Sequence, residues 1–109
     1  MFQIKQGDRL PILSGQALGP VGDPIDVASA PYPRFLMRAT GLPSPIISAT
    51  AGATITNASQ GQIAYLWAAG ETATVGLFEG EFELTFPGPK TQTVPGGGYI
   101  PINVKDDIG

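Results

Sequence analysis

Cysteine and histidine are both missing from this chain of 109 residues. Their absence excludes disulfides, thiolate zinc sites, imidazole metal ligands, and nucleophile relays built on Cys or His. Charge is scarce too, at 14% of residues, with six Lys and Arg against nine Asp and Glu. The bases are scattered from Lys5 to Lys105. Counterion release from a phosphate backbone needs clustered bases, so neither nucleic acid nor an anionic membrane surface is an expected partner. Long apolar runs are also lacking, and nothing approaches the ~20 residues of a membrane span. The opening Met1 to Asp8 has no charged segment followed by an apolar run, so no signal peptide is expected.

Turn formers and apolar residues, by contrast, are plentiful. Glycine numbers 15 and proline 11, while 42% of residues are hydrophobic and fall in short β-branched and aromatic blocks. That mixture predicts one folded β domain over 1–109 with many turns and a short flexible tail at 105–109. Phe2 and Ile4 alternate with Gln3 and Lys5, the period of a strand. A second strand, with Leu10, Ile12, Ser14 and Gln16 on one face and Leu13, Gly15 and Ala17 on the other, starts at Pro11 or lies at a sheet edge, because proline cannot donate to a ladder. Gly19 to Pro24 reads as a hairpin-like loop, and Ile25 to Val27 as a short alternating piece.

After Pro31-Tyr32-Pro33, the segment Arg34 to Ala39 reads as a core strand, because a helix there would make barely two turns before Gly41-Leu42-Pro43. Residues 46–50 and 53–57 flank Ala51-Gly52 and read as a hairpin. Ile63, Tyr65 and Trp67 share a face. The clearest alternation runs from Phe78 to Phe86, with Phe82, Leu84 and Phe86 inward and Glu79, Glu81, Glu83 and Thr85 outward. Tyr99 to Val104 is a terminal strand. Seven to nine short strands with turns at roughly 8–12-residue spacing predict an immunoglobulin-like antiparallel β-sandwich, whose core gathers Met37, Trp67, Phe82 and Leu84.

Candidate sites are thin. Glu79, Glu81 and Glu83 form a carboxylate row that a metal or an acid/base pair could use, but regular outward phase reads as a solvated strand face. Gly96-Gly97-Gly98 lacks the lysine and helix of a phosphate loop. Serines 14, 29, 44, 48 and 59 show no nucleophile elbow. Tyr32, Trp67 and Tyr99 could build a sugar platform if they face solvent. No enzyme, cofactor or metal site is expected.

The order of the blocks carries a resemblance. "FQIKQGDRLPIL", "PRFLMR" and "GQIAYLWAAGETATVGLFEGEFELTFPGPKTQTVPGGGYIPINV" together resemble the N-terminal domain of the phage baseplate upper protein (BppU) family. The matches lie at Gly7-Asp8, Met37-Arg38, Tyr65-Leu66-Trp67, Gly70-Glu71-Thr72-Ala73, Glu81-Phe82 and Gly98-Tyr99-Ile100-Pro101, and they span nearly the whole chain. The resemblance implies a structural or docking protein of a tailed-phage virion, made in the host cytoplasm and bound to other virion proteins in multiple symmetric copies. Because the chain stops at Gly109 where family members often continue into helices or fibres, a small tail, neck or head protein is expected. A capsid decoration protein or a carbohydrate-binding adhesion module is the alternative.

The terminal strands are the expected interface: Phe2 and Ile4 at the start, Tyr99, Ile100, Pro101 and Ile102 at the end. A strand at a sheet edge offers unpaired backbone groups to a neighbour. Loops Gly19 to Pro24 and Pro87 to Gly98 are expected to contribute.

Overall fold

The computed structural model describes residues 1–30 and 32–108. Pro31, part of the turn expected before the core strand, and Gly109, the last residue of the expected tail, lie outside the described residues. Nine strands occur among the described residues: β1 Phe2–Lys5, β2 Leu13–Gln16, β3 Arg34–Ala39, β4 Ile47–Ala49, β5 Ala53–Asn57, β6 Gln62–Tyr65, β7 Gly76–Phe86, β8 Lys90–Val94 and β9 Ile100–Lys105. They form a six-stranded sheet in the order β1-β9-β7-β3-β4, with β8 also paired to β7, and a three-stranded sheet in the order β2-β6-β5. The two sheets enclose one core, so the chain is an all-β sandwich. Every pairing is antiparallel except β1 with β9, which is parallel.

β7 organises the larger sheet, and its alternation explains why. Phe78, Gly80, Phe82 and Leu84 are buried, and Glu79, Glu81 and Glu83 project from the opposite face. Phe86, the last residue of β7, is only half-buried against the core. One side of β7 pairs with β3. The other pairs first with β8 and then with β9, which lie end to end: Val94 faces Phe82 and Ile100 faces Gly80. Only Glu81 separates those two partners on β7, yet Pro95 to Tyr99 intervene between Val94 and Ile100. Those five residues leave the sheet as an excursion opposite Glu81.

Aromatic rings join the layers. Phe35 of β3 stacks on Tyr65 of β6 with centroids 4.3 Å apart. Trp67 meets Phe35 edge-on at 5.8 Å and Tyr65 at 5.4 Å. Phe35 also packs against Phe82 at 5.3 Å. Trp67, Phe82, Leu84 and Met37 are all at most 1% exposed, and they belong to the same core cluster, as the strand phases predict. Gly80 makes room for this packing: a Cβ there would meet Ile102 Cδ1 at 2.8 Å and Phe35 Cε1 at 3.1 Å. Gly61 ends a 3-10 turn over Ala58–Gln60 with φ of 67°, and a Cβ would strike the carbonyl oxygens of Ile25 and Ala17.

Several local readings change. Residues 46–50 and 53–57 do not form a hairpin, since β4 pairs with β3 in the large sheet and β5 pairs with β6 in the small one. The turn at Thr50 to Ala53 is where the chain changes sheet. The second strand lies at the edge of the small sheet, one of the two expected alternatives, but begins at Leu13 rather than Pro11; Leu13 is buried, as is Ala17 just past the strand's end, and Leu10 is 72% exposed. Ile25 to Val27 is not a strand, although Val27 is buried. Gly19 to Pro24 does close a narrow loop, with Leu18 bridged to Pro24 and Gly19 N–H donating to Asp23 O at 2.7 Å. Within residues 87–98 the segment Thr91 to Val94 returns along β7 as part of β8, so these residues are not one loop.

Candidate functional site

The terminal strands differ in position. β1 lies at the edge of the large sheet, whereas β9 is flanked by β1 and β7, so the expectation of two edge strands is corrected to one. Ile4 and Ile102 are buried in the core, at 3% and 0% exposure. Phe2 and Ile100 are half-buried against it, Phe2 lying 6.0 Å from the Trp67 ring. Pro101 and Tyr99 are exposed. What β1 presents at the surface is therefore backbone, together with Gln3 and Lys5.

The outer face of the large sheet holds the chain's most organised polar side chains. Arg34 Nη2 donates to Glu83 Oε1 at 2.7 Å, and Arg38 Nε donates to Glu79 Oε1 at 3.0 Å. Both pairs follow from register, since Arg34 sits opposite Glu83 and Arg38 opposite Glu79. The reading of the acidic row as a free solvated face is thereby corrected: its two ends are ion-paired and half-covered. The signal was in the sequence. Arg34 and Arg38 are four residues apart and so are Glu79 and Glu83, the match that two antiparallel strands need to pair both acids on one face.

Glu81 differs from its neighbours. Among the described residues, no ion pair or side-chain hydrogen bond engages it. It stands opposite Leu36 on one side and opposite the Pro95 to Tyr99 excursion on the other. The excursion returns Tyr99 over the sheet, where the Arg38 guanidinium lies 4.6 Å from the ring centroid. Hydrogen bonding to Glu79 raises the Arg38 basicity further, partial desolvation opposes this, and Tyr99 adds to it. Tyr99, Pro43, Pro45 and Leu36 wall a shallow cavity of about 190 Å³, with Arg38, Glu79 and Glu81 as its charged lining. Sequence reasoning named Tyr99 and Glu81 separately but missed the prolines, which come from the β3–β4 connection.

A second polar cluster lies at the end of the sandwich. The Tyr65 hydroxyl, 2.8 Å from each Glu71 carboxylate oxygen, donates to that carboxylate, which also accepts the Ala68 N–H. Burial first, then the Glu71 carboxylate, pushes the Tyr65 phenol well above its ordinary range. Thr72 Oγ1 donates to Asp8 O at 2.7 Å, Gly7 N–H donates to Thr72 O at 3.0 Å, and Arg9 Nε donates to Trp67 O at 2.9 Å. Trp67 Nε1 completes the clamp by donating to Pro11 O at 3.1 Å. These groups satisfy one another and tie the chain after β1 to the segment after β6.

Of the three candidate sugar-stacking rings, Trp67 is 1% exposed and cannot meet a ligand, while Tyr32 and Tyr99 are 83% and 44% exposed. Among the described residues, no three acidic side chains gather as a metal-binding group. The fold defines a two-sheet, all-β sandwich. No protein-family model, curated protein or solved structure matches the chain.

Proposed function

We propose that this chain is a non-enzymatic structural and docking protein of a tailed-phage virion, in the tail, baseplate or neck, acting through contacts with other virion proteins in several symmetric copies. The observation that carries the reading is where the blocks of the baseplate-upper-protein resemblance fall. Gly7-Asp8 is far in sequence from the neighbouring blocks Tyr65-Leu66-Trp67 and Gly70-Glu71-Thr72-Ala73, yet Thr72 bonds to Asp8 across that distance while Tyr65 and Glu71 tie the two neighbouring blocks together. Met37, Phe82 and Ile100 belong to the core or pack on it. These blocks combine residues that serve folding with Arg38, Glu81 and Tyr99 on the outer face of the large sheet, an arrangement that supports a scaffold with a contact surface.

The exposed edge of β1 and the low charge fraction support docking by protein contact, because interface cores are depleted in charge. Tyr99, exposed above a cavity, favours the carbohydrate-binding adhesion module as the second reading. The test is mass spectrometry of virions purified through a density gradient. Recovery of the chain at a fixed stoichiometry with tail proteins is expected. Its absence from intact particles, with free protein in the lysate, overturns the proposal.

A further inference from the structure

We infer that the cavity beneath Tyr99 is a socket for a basic side chain, an arginine above all, presented by a partner protein. The inference rests on the docking reading and names the chemistry of one contact within it. Three observations converge on Glu81. It is the one acid of its row without an ion pair among the described residues. The neighbouring strand is interrupted opposite it, so no ladder residue pairs with it on that side. The interruption itself delivers an aromatic ring to the same cavity.

Charge decides the occupant. The lining carries Arg38 against Glu79 and Glu81, a net charge of −1, and Arg38 is already engaged by Glu79. One incoming cation brings the socket to neutrality, whereas an anion would meet the excess carboxylate. Arg38 already lies over the Tyr99 ring, so an incoming guanidinium packs its plane on the proline walls beside that ring while its edge pairs with the Glu81 carboxylate. Pro43 and Pro45 contribute walls that lose little conformational entropy when a ligand packs on them.

The experiment is an NMR titration of the isotope-labelled full chain with three probes. These are a blocked glycine- and serine-flanked pentapeptide with one central arginine, the same peptide with neutral citrulline in its place, and maltose. The arginine peptide should saturate shifts at the amides of Leu36, Glu81 and Tyr99, and the citrulline peptide should bind about three- to tenfold more weakly. Glu81→Gln should abolish that difference, and Tyr99→Ser should weaken both peptides. Both substitutions fall on side chains outside the core, and the dispersed spectrum verifies folding in each titration. Equal binding of the two peptides, no saturable shift at these residues, or saturation by maltose alone overturns the socket. Such a failure leaves the docking reading intact, because that reading is judged on particles and not on these probes.

Discussion

Phe35 and Tyr65 lie ring on ring across the two sheets, centroids 4.3 Å apart and planes 28° from parallel. Phe35 comes from β3 of the large sheet and Tyr65 from β6 of the small one, so this contact joins the layers. Trp67 abuts both rings edge-on. Removing one member leaves a void that neighbours on two rigid sheets cannot collapse into. Trp67→Ala and Phe82→Ala should each cost about 3–5 kcal/mol, a large share of the stability of a domain this size. Denaturant unfolding measures it, and wild-type midpoints would refute the packing described.

Two glycines should respond oppositely to the same substitution. Gly80→Ala places a methyl group 2.8 Å from Ile102 Cδ1 and 3.1 Å from Phe35 Cε1, so the end of the Ile102 side chain must move and the Phe35 ring must give, at a cost of about 1–3 kcal/mol. Gly97→Ala meets nothing within 4 Å and should stay within about 0.5 kcal/mol of wild type. Thermal melting of both variants gives the comparison.

Alkaline unfolding should carry a signature of Tyr65. Its phenol is raised from an ordinary value of 10.0, so the folded state holds the proton more tightly than the unfolded state does. The resulting stabilisation is complete below the ordinary range and is lost as pH rises through the folded value. Tyr65→Phe should be less stable than wild type by about 1–2 kcal/mol at neutral pH, because Glu71 loses a donor. The deficit should shrink between pH 10 and pH 12. Denaturant midpoints across that range test it, and a constant deficit would contradict the assignment.

The acidic row should contribute little to stability but not uniformly. Glu79→Gln and Glu83→Gln each break a half-exposed ion pair, and each should lower the melting temperature by less than about 4 °C, an effect that fades in high salt. Glu81→Gln should not shift it, since no partner is lost. A melting change for Glu81→Gln equal to the others would show that it is paired in solution.

Strand identity was legible where alternation was strict. Phe78 to Phe86 and Phe2 to Lys5 show their buried faces directly, because a period of two has only one reading on a half-buried strand. Sheet membership was not legible. Residues 53–57 alternate as a hairpin arm would, yet β5 joins β6, and nothing local distinguishes a tight turn between partners from a corner between sheets. The socket was least visible, since Pro43, Glu81 and Tyr99 come from three segments brought together only by the β3–β7 register and the break between β8 and β9.

Docking through the sheet edge and the loops, rather than catalysis, is what we propose for this chain. Hydrogen exchange on the free protein and on gradient-purified virions that carry it tests the proposal most directly. Added protection is predicted in β1 at Phe2–Lys5, in the Gly19 to Pro24 loop and in the excursion at residues 96–99, while the core amides of β3, β6 and β7 stay unchanged. Identical exchange in both states at the edge strand and both loops would contradict it.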